Sequence, residues 1–302
     1  MGLKYYIVDV FAQERFTGNP VAIVECNQEL SDEKMLQIAR ELNAPETTFV
    51  NPVPQDGCYK IRMFTPTREV MFSGHPTLGA AFIINHFFAS SPKKQVKLSL
   101  KSSEVLIDSP TLEDGAKNTI ISKHKPILFS GQKSPEFDRK FDPVLISRIV
   151  GVDVEDFDDR YPIQAVTVGL GFVIVPIKTL HTLKRIRINQ ERYSWFCAKS
   201  EAKLILAFTP ETVDSENHLH VRVFSDFYGI PEDPATGSGN GALVAYLSKY
   251  NFFDSPEIDV RIEQGYEIGR PSLILAKAVP RGEEIDVTIG GRVILVAQGE
   301  IF

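Results

Sequence analysis

Two stretches of the 302-residue chain set glycines at the mouth of an apolar helix and share residues in the same order. The first reads Arg62-Met-Phe-Thr-Pro66, then Ser73-Gly-His-Pro-Thr-Leu-Gly-Ala-Ala81. The second reads Arg222-Val-Phe-Ser-Asp226, then Thr236-Gly-Ser-Gly-Asn-Gly-Ala-Leu-Val-Ala245. A helix start leaves its first backbone N–H groups without intrahelical partners and carries the positive end of the helix dipole, so it attracts anions. One such turn reads as a capped helix start; two at matching places in a repeat read as a clamp on one small anion. Its backbone donors lie near Gly74, His75, Gly237 and Ser238, with Ser73 in the first turn. Neither turn is a Walker loop, because no Gly-Lys-Ser/Thr follows. Neither is a dinucleotide loop, because no parallel strand–helix–strand unit surrounds it.

Three side chains near these turns suit proton chemistry. His75 stands in a first helical turn, where the dipole disfavours a protonated imidazole, and reads as a neutral donor or proton carrier, or as a cap. Glu46 follows Pro45 where a helix gives way to a strand, among apolar and hydroxyl residues. It is either an ordinary surface glutamate or a partly buried general acid/base with a raised pKa. Asp233 immediately precedes the second glycine turn, as a capping acid or a participant at that helix mouth. Asn19, in Phe16-Thr-Gly-Asn-Pro20, is a turn residue or a polar ligand contact, and composition does not decide between them. His86, His124, His181, His218 and His220 sit in no motif and read as structural; His218 and His220 alternate on a strand with no third metal ligand.

These residues need a scaffold, and the chain supplies mostly short β-branched runs. Strands are expected at 5–10, 21–26, 48–53, 59–64, 96–100, 105–109 and 118–122. The second part offers 164–168, 172–175, 202–208, 219–224, 258–262, 272–278, 285–289 and 293–297. Ser31 caps a helix with one apolar stripe, Met35, Ile38, Ala39 and Leu42, and Asp142-Pro143 opens another that Gly151 closes. The helices after His75 and Gly237 are apolar nearly all round, and such a helix is buried on most faces. In a strand-rich half this is achieved by wrapping strands around it. The expected organisation is therefore α+β with two pseudo-symmetric halves: residues 1–115 with 288–302 around a helix at 75–88, and residues 116–287 around a helix at 237–250.

Composition narrows the function classes. A net charge of −6 without a Lys/Arg block argues against a nucleic-acid partner, yet a local pocket for a small anion is compatible with it. No apolar run approaches a membrane span, and the N-terminus lacks a signal-peptide core. The three cysteines, Cys26, Cys58 and Cys197, are scattered without metal spacing, which fits a reducing, cytoplasmic setting.

Six segments together resemble the phenazine-biosynthesis PhzF-like family. They are Gly18-Asn-Pro-Val-Ala22, Pro45-Glu-Thr-Thr-Phe49, Phe64-Thr-Pro66, Ser73-Gly-His-Pro76, Glu232-Asp-Pro-Ala-Thr-Gly-Ser238 and Gln264-Gly-Tyr-Glu-Ile-Gly-Arg-Pro-Ser272. The resemblance implies a diaminopimelate epimerase-like fold, each half a β-barrel around a central helix, with the ligand held between the halves. It places the proton-shuttling glutamate on Glu46, the active-site histidine on His75, the aspartate on Asp233 and the ligand-binding serine on Ser238. It implies a homodimer as well. The epimerases of this fold carry a cysteine before glycine in each half, where this chain has Ser73 and Thr236. Hydroxyls with pKa values far above neutrality do not replace a thiolate–thiol pair. The reading is thus an isomerase without a cofactor or metal, moving a proton on a small carboxylate-bearing substrate by means of Glu46, His75 and Asp233. Asn19, Ser73, Gly74, Gly237 and Ser238 would bind that substrate. The alternatives are a catalytically silent binding protein, or a racemase using bases other than cysteine.

Overall fold

The computed structural model describes residues 2–71, 74–101, 103–109 and 127–302. Ser73, the strand expected at 118–122 and the boundary expected at 115/116 lie outside the described residues. The chain divides into two compact units, Met1–Gly131 with Gly290–Phe302 and Gln132–Ile289. Strand Ile127–Gly131 belongs to the first unit because it pairs with strand Glu104–Asp108, and the chain passes to the second unit at Gly131/Gln132.

In the first unit the strands are β1 (Leu3–Val10), β2 (Asn19–Glu25), β3 (Thr47–Val50), β4 (Cys58–Phe64), β5 (Glu69–Val70), β6 (Gln95–Ser99), β7 (Glu104–Asp108) and β8 (Ile127–Gly131). Strand β1 runs antiparallel to β2, β2 parallel to β3, β3 antiparallel to β4, β4 antiparallel to β5 and parallel to β6, and β6 antiparallel to β7. The final strand of the chain, Glu284–Ile301, pairs with both β1 and β8 and closes the ring. It forms one strand where two were expected, because Gly290 and Gly291 continue the ladder. A Cβ at Gly290 would lie 2.2 Å from the Phe129 ring.

Inside this barrel lies α2 (Gly74–Ile83), buried from His75 to Ile83 and continued by one π-helical turn, Ile84–Phe88. A Cβ at Gly79 would come within 2.8 Å of Val21 and 3.1 Å of Val8, so glycine lets the helix press directly on β1 and β2. Outside the barrel, α1 (Asp32–Leu42) is capped by the Ser31 side chain and covers Val24, Phe49 and Phe64 with Met35, Ile38 and Ala39.

The second unit repeats this plan. Its strands are β9 (Glu136–Lys140), β10 (Gln164–Thr167), β11 (Gly171–Pro176), β12 (Leu204–Thr209), β13 (Leu219–Ser225), β14 (Ile230–Asp233), β15 (Ile258–Gln264), β16 (Ser272–Arg281) and the start of β17 (Glu284–Ile301). From β10 to β16 the pairings are antiparallel, parallel, antiparallel, antiparallel, parallel and antiparallel, the sequence seen from β1 to β7. The central helix α6 (Gly237–Lys249) is buried from Gly237 to Ser248. Helices α3 (Pro143–Val150), α4 (Leu180–Arg185) and α5 (Gln190–Cys197) cover the outer face through Ile146, Ile149, Leu183, Tyr193 and Phe196. Asp142 caps α3 and Gly151 ends it in the left-handed region. No helix among the described residues is long and apolar enough to cross a membrane.

The repeated Arg-x-Phe turns out to be an outer-face device. Arg62 forks onto Glu69 with Nε–Oε1 and Nη2–Oε2 distances of 2.8 Å, and Arg222 forks onto Glu232 at 2.8 and 2.7 Å. Each guanidinium also lies over the phenylalanine two residues on, 5.2 Å from the Phe64 centroid and 4.9 Å from that of Phe224. The remaining nitrogen differs between the units. Arg62 Nη1 donates to Asp32 in the first turn of α1, whereas Arg222 Nη1 donates to the carbonyls of Leu183, Lys184 and Ile186 at the end of α4. Both choices satisfy a cation, one with a carboxylate and one with the negative end of a helix. In both units the fork fastens the short hairpin strand, β5 or β14, that leads into the glycine turn.

Beside Arg222, His220 is fully buried between two carboxylates: Nδ1 lies 2.6 Å from Glu263 and Nε2 3.1 Å from Glu267. Burial alone would push this imidazole down, but the two carboxylates outweigh it and hold its pKa above the ordinary value. Burial likewise works against both glutamates; His220, with the Val213, Asp214 and Asn217 donors on Glu263, keeps them below the usual carboxylate range.

Two outcomes are expected. Arg222→Met, which strands Glu232 in a site where the arginine side chain is only 5% exposed, should cost about 3–5 kcal/mol in urea unfolding. Arg62→Met should cost less, because Arg62 is 20% exposed and its partner Asp32 is 75% exposed. The His220 cluster should also give a stability maximum between the ordinary carboxylate and imidazole ranges. The contribution of His220 is complete below its unfolded value of 6.5 and is lost as pH rises through its higher folded value. That of the glutamates is complete above 4.5 and is lost as pH falls through their lower folded values. Thermal midpoints against pH check this, with His220→Gln flattening the alkaline limb.

Candidate active site

In the first unit, the positions of Glu46 and His75 follow from strand pairing. Asn43 ends α1 in the left-handed region, the chain turns at Pro45, and Ala22 N–H donates to the Glu46 carbonyl at 3.1 Å, which ties Glu46 to β2 just before β3 begins. His75 occupies the first turn of α2. The structure brings the two side chains together: Glu46 Oε2 lies 2.9 Å from His75 Nε2, with 12% and 8% of the side chains exposed. At this separation a protonated His75 would form an ion pair with the Glu46 carboxylate. Glu46 is therefore not the ordinary surface glutamate of the two sequence readings.

Asn19 is 1% exposed and opens β2 opposite Val10. It is a strand residue, and the turn before it depends on Gly18. There φ is +71°, and a Cβ would lie 2.4 Å from the Val10 carbonyl oxygen. Gly74 begins α2.

In the second unit, Asp233 ends β14 one residue after the forked Glu232. Its carboxylate Oδ2 accepts a hydrogen bond from the Thr236 hydroxyl at 2.5 Å. Thr236 is the N-cap of α6, but its side chain does not cap the helix. Gly237 and Ser238 form the first turn of α6, where backbone N–H groups have no partner within the helix, and Ser238 is 7% exposed. The turn is carried from below by Gln264, at 0% exposure, which bonds the Asp233 carbonyl, the Thr236 backbone and hydroxyl, and Asn240. Gly265 follows with φ +81°, and any Cβ there would stand 2.5 Å from the Pro234 carbonyl and 2.4 Å from that of Arg270.

Residue reading alone missed Gln264, Thr236 as a donor, and the task of Arg222, which it named only as part of the repeat. A signal for Gln264 did exist: a carboxamide at the end of an apolar strand, directly before a glycine. Among the described residues, no group of three or more His, Cys, Asp or Glu is arranged to hold a metal ion.

The chain matches the phenazine biosynthesis-like protein family (PhzC-PhzF) over residues 8–299. It belongs to that family. It is 30% identical over 304 residues to the trans-2,3-dihydro-3-hydroxyanthranilate isomerase of Pseudomonas aeruginosa, covering 99% of both chains. The crystal structure of a PhzF-family phenazine biosynthesis protein from Bacillus anthracis superimposes with a TM-score of 0.88 at 26% identity, covering 100% of this chain and 99% of that one. A hydroxyproline epimerase from Agrobacterium vitis shares the fold, with a TM-score of 0.61 at 10% identity over 99% of this chain and 92% of that one. The PhzF-family fold is thus the diaminopimelate epimerase-like α+β fold, and the relatives place the chain among the isomerases.

Gly265→Ala is expected to lose more than about 1 kcal/mol of stability, because the φ is unsuited to alanine and the Asp233–Thr236 turn must move. Urea unfolding reads the loss, and isomerase turnover should fall with it.

Proposed function

We propose that this PhzF-family isomerase moves a proton between carbon atoms of a small carboxylate-bearing substrate without a cofactor. The observation that carries the reading is the 2.9 Å approach of Glu46 and His75 in a nearly dry setting. Glu46 removes a proton from a carbon made acidic by conjugation to the substrate carboxylate and returns it to another carbon of the same system. His75 accepts or supplies the shared proton, so that Glu46 alternates between its two forms. Asp233 orients the substrate or relays that proton. In each unit the N–H groups at the start of the buried helix, near Gly74 in α2 and near Gly237 and Ser238 in α6, are donors suited to a carboxylate, and Asn19 and Ser73 belong to the proposed binding set.

A thiol mechanism is a poor fit for the chain. Cys26, Cys58 and Cys197 are buried, and burial pushes each thiol above its ordinary range, away from the reactive thiolate. By the family resemblance, Thr236 and Ser73 stand where the epimerases carry their cysteines.

The test follows hydrogen exchange and conversion of trans-2,3-dihydro-3-hydroxyanthranilate, the substrate named for the Pseudomonas aeruginosa relative, in deuterium oxide. Glu46→Gln should lower both rates by about 10²–10⁴-fold, the usual worth of a positioned acid/base. Wild-type exchange in that variant would remove Glu46 from the mechanism, and binding without exchange in the native protein would make the chain a binding protein instead.

A further inference from the structure

The turn at Asp233 contains a chain of hydrogen bonds whose direction is fixed by backbone groups. Gln264 Oε1 lies 3.2 Å from the Thr236 backbone N–H, which can only donate, and 2.8 Å from Asn240 Nδ2. Asn240 in turn donates to the Thr236 carbonyl at 3.0 Å, which fixes its own amide as a donor. Gln264 Nε2 faces the Asp233 carbonyl at 2.8 Å, which can only accept, and the Thr236 hydroxyl at 3.0 Å. The orientation of the Gln264 amide is therefore set at both ends, and the Thr236 oxygen is an acceptor toward it. A hydroxyl has one proton to give, and that of Thr236 goes to Asp233 Oδ2, 2.5 Å away. A threonine at an N-cap ordinarily turns its oxygen to the helix; this one is withdrawn from capping to serve the carboxylate.

We infer that Gln264 and Thr236 are positioning residues that give the two oxygens of Asp233 different work. Oδ2 is held as a permanent acceptor, and any proton that Asp233 takes up or releases is carried on Oδ1. The assignment of Oδ1 as the working oxygen rests on the proposed role of Asp233 in proton transfer, whereas the polarity of the chain does not. The donor on Oδ2 also favours the ionised carboxylate over the acid.

Neither residue has to touch the substrate for this to matter. Gln264 orients Thr236, Thr236 orients Asp233, and only Asp233 meets the reaction. The hydroxyl at position 236 thus has a task of its own in this chain. Charged groups on the neighbouring strands and turn include Arg222, Glu232, His220, Asp259, Arg261, Glu263, Glu267 and Arg270, and all of them stay constant across the variants below.

The experiment titrates the side-chain carboxyl carbon of Asp233 by carbon-13 NMR in the full chain without substrate, the resonance being assigned by its loss in Asp233→Asn. Thr236→Val should raise the titration midpoint by about one pH unit, the equivalent of one hydrogen bond to a charged group. Thr236→Ser should restore it, and Gln264→Leu should raise it by a smaller amount by releasing the hydroxyl. Circular dichroism monitors folding; if Thr236→Val does not fold, Thr236→Ala and Gln264→Leu carry the comparison. A midpoint that stays at the wild-type value in folded variants lacking the hydroxyl would overturn the inference. The proposed reaction fails separately: wild-type proton exchange in Asp233→Asn would end the role of Asp233 in catalysis without altering the titration result.

Discussion

A helix with apolar side chains on nearly every face cannot lie on a surface, and the rest of this fold follows from satisfying two such helices. Leu78, Ala80, Ala81, Phe82 and Ile83 in one unit, and Ala242, Leu243, Val244, Ala245 and Leu247 in the other, are all at most 4% exposed. Only a sheet curled around each helix supplies enough apolar wall. That enclosure leaves the helix ends as the places where its backbone can meet anything polar. The candidate site residues lie at the N-terminal ends for this reason: His75 in one first turn, and Gly237 and Ser238 in the other, with Glu46 and Asp233 brought there by the strand connections of their own units.

The strands that deliver them are themselves poorly specified by hydrophobicity. Strand β5 is two residues long, and β14 reads Ile-Pro-Glu-Asp. Neither can hold its place by burial. A bidentate Arg–Glu pair does so in each unit, with the guanidinium stacked on a phenylalanine. The repeat that first draws attention to the glycine turns is thus two devices in series. The Arg-x-Phe part fixes a hairpin on the outer face, and the glycine part opens the helix that the hairpin leads into.

Much of the fold was legible from local pattern. Helix α1, the capping of α3 by Asp142, its end at Gly151 and the two buried helices are written in spacing and caps, and they stand where the residues put them. The hairpin strands β5 and β14, the strand β9 and the helices α4 and α5 were not read. The strands have no apolar alternation, and α4 is a six-residue helix whose end is satisfied by an arginine distant in sequence. In the candidate site, Glu46 and His75 were legible as candidates, but their meeting depends on the parallel register of β2 and β3. The partners of His220 are remote in sequence, so a lone histidine on a strand gave no sign of the two carboxylates around it.

The hydrogen bond between Thr236 and Asp233 sets a boundary between two ways of using one scaffold. Cysteine at position 236 would bring a thiol, a weak donor, to the oxygen that the hydroxyl now serves. Ionised as a nucleophilic base, it would put negative charge against negative charge and suppress its own thiolate. An aspartate at 233 therefore disfavours an ionised thiol at 236, whereas it is well matched to the threonine hydroxyl that stands there.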